Sequence, residues 1–173
     1  MTTLRLSLPS VLPTTPDRSA NPQNIVRPIP GTMPSRGDVV SCNFPLDEYP
    51  NIPGQKARPC VVLAVLDNPD PLKRALMVVY GTSVTSGYLG PNECLVENAD
   101  ALARAGLHRP TKFNVSRARI LPYTREYFRA NRAGTTILGS FGDEENVGLT
   151  KAHGYQIEKT SRERARQGAR TSH

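Results

Sequence analysis

A mainly β fold, a small barrel or sandwich carrying short helices, is predicted by three features of the sequence. The 173 residues include sixteen Pro, thirteen Gly and no Trp, which suits short strands and turns and does not suit a helical bundle. Lys56 to Leu66 (Lys-Ala-Arg-Pro-Cys-Val-Val-Leu-Ala-Val-Leu) is an almost unbroken apolar, β-branched run, the pattern of a strand buried on both faces of a sheet. A short polar turn, Asp67 to Lys73, separates it from a second apolar run, Arg74 to Tyr80, so the two are expected to pair as antiparallel neighbours. The length suits one domain with a proper core and tails.

Residues 1–33 carry many Pro, Thr, Ser and Asn and few large apolar side chains, and read as a disordered Pro-rich leader. The domain is placed at 34–157. It opens on the turn Arg36-Gly37-Asp38, which launches a first strand over Val39 to Phe44. Pro45 to Ala57, with Pro45, Pro50, Pro53 and Gly54, is longer than an ordinary connection, and such loops are either functional or floppy. The third strand ends at Gly81-Thr82-Ser83. After it come a short strand, Glu93 to Val96, and a short helix, Ala99 to Ala105, closed by Gly106. Phe113 to Leu121 alternates as one strand that Pro122 ends. Residues 124–132 suit one or two amphipathic turns. Ile137 to Gly139 reads as a last short strand and Glu145 to Ile157 as a final helix, weakened by Gly148 and Gly154. Residues 158–173 read as a basic flexible tail.

The net charge of +7 is unevenly spread. Residues 1–33 hold three Arg against one Asp, 34–155 fourteen Lys and Arg against twelve Asp and Glu, and 156–173 five against two. A mildly basic core means that any affinity for a polyanion rests on a local patch helped by the tail; otherwise the charge simply aids solubility. No window supplies the roughly 18 consecutive apolar residues of a membrane span. Prolines at 9, 13, 16 and 22 break any signal-peptide core, so a cytoplasmic location is expected. Cys42, Cys60 and Cys94 are widely spaced, lie in apolar runs and have no histidine cluster nearby; they are expected to be small core residues, with no structural zinc.

Antiparallel pairing places the start of one hairpin strand beside the end of the other, so Arg58 and Thr82-Ser83 are expected to meet at one end of the sheet. A guanidinium whose Cα is held by a strand and which reaches over the sheet edge is suited to an anion. Gln55, Lys56, Arg109, Lys112, Arg117 and Arg119 are candidates for contacting it, with Arg117 and Arg119 predicted on one face of their strand. A salt bridge to Asp38 or Glu93 would equally account for one of these cations. Tyr49 and Tyr88 would stack on bases if their loops face a ligand. His108, in a basic loop, is either a proton carrier or a solvated side chain; His153 and His173 read as bystanders.

The ordered series Arg36-Gly37-Asp38-Val39-Val40, Arg58-Pro59 opening an apolar strand, a second strand closing on Thr82-Ser83, and Ser116-Arg117-Ala118-Arg119-Ile120 resembles the MazF/PemK toxins of type II toxin-antitoxin systems. The resemblance covers about residues 36 to 122. It implies an SH3-like barrel, or twisted antiparallel sheet of the MazF/CcdB kind, with a C-terminal helix. It further implies a homodimer, a cognate antitoxin, and cleavage of single-stranded RNA without a metal or other cofactor. By the same resemblance the active site falls on Arg58 and Thr82, with Ser83 beside them. Where many members carry Glu-Gln before the Arg-Pro motif, this chain has Pro53-Gly54-Gln55-Lys56-Ala57, leaving Gln55 and Lys56 as the polar contacts. Where an acidic residue often precedes the later strand, Ser116 stands.

RNA cleavage through its own 2′-hydroxyl needs charge held on the phosphorane oxygens and two protons moved. Arg58 suits the first task and, being permanently charged, not the second. Thr82 and Ser83 would donate hydrogen bonds or pass a proton through water, so the chemistry expected is positioning and electrostatics. The alternative class is a non-enzymatic growth inhibitor on the same fold, binding gyrase or another protein as the CcdB relatives do.

Overall fold

A computed structural model describes residues 27–170. Its elements are β1 (Asp38–Cys42), β2 (Arg58–Leu66), β3 (Ala75–Thr82), β4 (Glu93–Val96), α1 (Ala99–Arg104), β5 (Thr111–Asn114), β6 (Arg119–Pro122), β7 (Ile137–Ser140) and α2 (Asp143–Arg170). The seven strands form one antiparallel sheet in the order β4-β5-β3-β2-β1-β7, with β6 also paired to β3. The sheet is curled into a half-barrel, and α2 is its C-terminal helix.

The curl originates at β3. Its first half, Ala75 to Val78, pairs with β6, and its last two residues, Gly81 and Thr82, pair with β5. On its other side β3 runs against β2, from Leu66 opposite Ala75 to Cys60 opposite Tyr80. The connecting turn is built by side chains: Asp70 accepts from the Leu72 N–H at 3.0 Å and caps the 3-10 turn Pro71–Lys73. The register slips between Val62 and Ala64, a β-bulge. Beside it Arg36 donates to the Leu63 carbonyl at 2.6 Å, and the Gly37 N–H donates to that of Val62 at 2.9 Å. Gly37, at φ +86°, provides the left-handed turn that brings this pair in.

β2 is buried on both faces, as its composition predicts. On one side Val61, Leu63 and Val79 pack with Phe113, Phe141 and Leu149; on the other Cys60, Val62 and Val78 pack with Phe44, Tyr123 and Phe128. All three cysteines are buried and free. Ile29 is buried in the second cluster and Pro28 bridges to Thr124, so the core begins before residue 34. Residues 1–26 of the leader expected over residues 1–33 lie outside the described residues.

Phe113 to Leu121 is not one strand. Asn114 turns its side chain back to accept from the N–H of Ser116 at 3.0 Å, capping a 3-10 turn at Val115–Arg117 that divides β5 from β6. Arg117 therefore lies on the turn and Arg119 on β6, so they share no strand face. Residues 124–128 make a single turn, the Phe128 N–H donating to the Thr124 carbonyl at 2.8 Å. Asn98 caps α1, and Gly106, at φ +66°, turns the chain away after it.

α2 continues past Ile157, where the sequence predicts its end, to Arg170. Leu149 and Ala152 are its buried anchors. Apart from Thr160, Ser161 and Gly168, the remainder is Glu, Lys, Arg, Gln and Ala, good helix formers, with Glu158 and Arg162 paired one turn apart at 3.3 Å. Among the described residues no helix is long and apolar enough to cross a membrane.

Candidate functional site

The site is built from the open end of the β2–β3 hairpin. Arg58 lies opposite Cys42 of β1 at the first position of β2, and its guanidinium sits over the Tyr80 ring, 5.4 Å from the centroid. That ring packs on Phe44 at 5.0 Å, while the Tyr80 hydroxyl accepts from Arg117 Nη1 at 2.7 Å. One tyrosine thus fixes two guanidiniums, one through its face and the other through its oxygen. Among the described residues neither Arg58 nor Arg117 is in an ion pair, whereas Arg119 is bound to Asp47 at 3.0 Å.

The β1–β2 loop folds over this end and is tied down at three points. The Gly54 N–H donates to the Asn43 carbonyl at 2.9 Å, Tyr127 donates to the Asn51 carbonyl at 2.9 Å, and Arg119 holds Asp47. Gly54 is required there, because a Cβ would collide with the Phe44 carbonyl. Two clefts result, with Arg58 in the wall of each. One, of about 220 Å³, is lined by Phe44, Asp47, Glu48, Tyr80 and Arg117. The other, of about 510 Å³, is lined by Leu46, Tyr49, Ile52, Gln55 and Lys56 among others. Arginine at a junction of apolar, aromatic and polar walls suits a ligand with both an anionic and a flat apolar part.

Alternation along β3 puts Thr82 on the same face as Tyr80, and so on the face of Arg58. Its Oγ1 accepts from the Val84 N–H at 3.2 Å, which leaves the hydroxyl proton available to a ligand. Ser83 lines a different cleft, together with Pro59, His108 and Arg109. Arg58 and Thr82 are therefore brought to one face, and Ser83 opens onto the other.

Lys112 pairs in register with Thr82, but its side chain is only 16% exposed and its Nζ lies 3.4 Å from a Glu93 carboxylate oxygen. Glu93 also accepts from the Gly90 N–H at 2.9 Å and from Asn114 at 3.1 Å. The Gly90 hydrogen bond, with the charge and hydrogen bonds of Lys112 and Asn114, outweighs burial and holds the Glu93 carboxyl below its ordinary range. A carboxylate so fully engaged is a poor base, and Lys112 serves as its counter-ion. Gln55 and Lys56 lie on the loop cleft beside Arg58. Tyr49 is 60% and Tyr88 88% exposed.

Burial, and then the adjoining Cys42, push the Cys60 thiol well above its usual value, so the thiol two residues from Arg58 is no nucleophile. Among the described residues no group of three or more His, Cys, Asp or Glu is placed to hold a metal ion.

Tyr80 and Phe44 escaped the sequence reading. The available signal was positional: Tyr80 stands two residues before Thr82 and, being opposite Cys60, is diagonal to Arg58 two residues earlier, which puts all three on one face. A scan against protein-family models finds no match to the chain, and a search of curated proteins finds none either.

Proposed function

We propose that the chain is a metal-independent endoribonuclease that cuts single-stranded RNA, acting as the toxin of a type II toxin-antitoxin pair. One observation carries the proposal: Arg58, without a carboxylate partner among the described residues, is held over Tyr80 beside a second fixed cation, Arg117, on the face that bears Thr82. The order of motifs resembling MazF/PemK supports the same reading. A homodimer, a cognate antitoxin and a cytoplasmic location follow from that resemblance as parts of the proposal.

In the reaction the RNA 2′-oxygen attacks the adjacent phosphorus, the 2′-hydroxyl proton leaves, the bond from phosphorus to the 5′-oxygen breaks, and that oxygen takes up a proton. The products are a 2′,3′-cyclic phosphate and a free 5′-hydroxyl. Arg58 grips the non-bridging oxygens as charge grows on them, and the Thr82 hydroxyl donates to the same group. Arg117 adds a second positive charge within the cleft. The loop cleft beside Arg58, walled by Tyr49 and Ile52, receives a neighbouring base.

The test is incubation of purified protein with end-labelled single-stranded RNA in excess chelator, alongside growth assays. Cleavage is expected, and Arg58→Ala should abolish both cleavage and growth arrest. Intact RNA together with undiminished arrest by the Arg58→Ala variant would sink the proposal and favour a protein target.

A further inference from the structure

The chemistry-bearing groups that the proposed reaction leaves unused gather at the opposite face of the same strand ends. A cleft of about 270 Å³ there is lined by Pro59, Ser83, His108, Arg109 and Thr111 among others, with no Asp or Glu in its wall. Gly81 and the left-handed Gly106 keep it open: a Cβ on Gly81 would run into the Thr111 methyl and the Phe113 ring. Thr111 Oγ1 donates to the Arg109 carbonyl at 2.8 Å and so fixes the turn between α1 and β5 that presents His108 and Arg109. Both of those side chains are exposed, and among the described residues Arg109 is in no ion pair.

We infer that this cleft is a second phosphate subsite for the same single-stranded RNA, holding one phosphate group through Arg109, His108 and Ser83. The inference rests on the proposed endoribonuclease reading. Size argues for a single group, since the cleft falls below the roughly 300 Å³ at which pockets for whole small molecules begin. Composition argues for an anion: a guanidinium, an imidazole that donates an N–H in either protonation state, and a hydroxyl, with no carboxylate to compete. Continuity argues for the same chain of RNA. Pro59 and Ser83 line this cleft, and their sequence neighbours Arg58 and Thr82 stand on the first face, so a strand crossing the hairpin end meets Arg58 on one side and Arg109 on the other.

Two measurements test it. In the first, a fluorescein-labelled single-stranded 2′-deoxy oligonucleotide of mixed sequence is titrated by anisotropy over a range of salt, with wild type, Arg109→Gln and Arg109→Glu. Loss of one phosphate contact should lower the slope of log affinity against log salt by about 0.7 in Arg109→Gln, and Arg109→Glu should weaken binding about tenfold or more. In the second, inorganic phosphate is titrated while the imidazole signals are followed by NMR, that of His108 being assigned from His108→Gln; it should move in wild type and stay put in Arg109→Gln. If wild type cuts single-stranded RNA and binds the deoxy strand but both Arg109 variants bind that strand within twofold at an unchanged slope, the inference falls alone. If wild type neither cuts single-stranded RNA nor binds the deoxy strand, the endoribonuclease reading and the RNA subsite fall together, and a phosphate-dependent His108 shift would leave only a free-phosphate site.

Discussion

Tyr80 is the residue on which the geometry of the site most depends, and two substitutions separate its contributions. Tyr80→Phe removes only the oxygen that accepts from Arg117, a net loss of about 0.5–1.5 kcal/mol. Tyr80→Leu removes that bond, the ring contact with Phe44, worth about 0.5–1.5 kcal/mol, and the platform under Arg58, worth about 0.5–1 kcal/mol at a surface. Together these come to about 1.5–4 kcal/mol, or roughly 3–16 °C in melting temperature for a domain of this size. The effect on cleavage has a different origin. Without the ring, Arg58 regains side-chain freedom, worth up to about 1.5–2 kcal/mol for a long cation, and refixing it at the phosphorane should slow the proposed reaction by up to roughly 10- to 30-fold. Single-turnover cleavage of an RNA oligonucleotide, read beside thermal melting, gives both numbers. Tyr80→Phe should cut within about threefold of wild type. The positioning role is refuted if Tyr80→Leu melts lower yet cuts at the wild-type rate, or if Tyr80→Phe is as slow as Tyr80→Leu.

Acid should unfold the protein through a small set of carboxylates. The Gly90 and Lys112 contacts lower Glu93. Burial alone would raise Glu126 and Glu145, but hydrogen bonds from Thr124 and Arg104 respectively, with nearby backbone N–H groups, hold both below the ordinary value. A lowered folded pKa gives stability that is complete above the unfolded carboxylate range and lost as pH falls through the folded values. Denaturant midpoints should therefore drop below about pH 4.5, and less steeply in Glu93→Gln. Burial, and then the charge of Glu145, raise the Cys94 thiol to about 11, and Cys60 is raised as well. Iodoacetamide at about pH 8 should label none of the three cysteines until denaturant is added; labelling of the native protein at the rate of a free thiol would contradict the packing. Gly54→Ala should cost about 1–3 kcal/mol by forcing the loop off the Phe44 carbonyl. It should also weaken RNA binding relative to wild type at temperatures where the variant is fully folded.

The strand that begins at Arg58 was legible because its signals agree: β-branched residues, an X-Pro start, and a polar turn before the next apolar run. The hairpin followed, and with it the placing of Arg58 and Thr82 at one end. The break at Val115–Arg117 was not legible, because apolar alternation continues through it and the decision belongs to one Asn114 side chain bonding its own backbone neighbourhood. The extension of α2 was hidden by two glycines and a charged composition that suits a solvated tail as well as a helix. Opposite facing of Thr82 and Ser83 was implicit in strand alternation, but became visible only with the second cleft. Arg119 and Lys112 looked equivalent to Arg117 as charges. What distinguishes them is partnership with Asp47 and Glu93, from a loop and from a neighbouring strand, which no local pattern specifies.

Replacing one sugar tests whether the substrate supplies its own nucleophile while Arg58 holds the charge. An RNA oligonucleotide found to be cleaved in chelator is resynthesised with a single 2′-deoxy nucleotide on the 5′ side of the cleaved bond. Cleavage at that bond should disappear, and the unmodified RNA should yield a 2′,3′-cyclic phosphate and a 5′-hydroxyl. Cleavage persisting at the deoxy position, or a product bearing a 5′-phosphate, would contradict that mechanism.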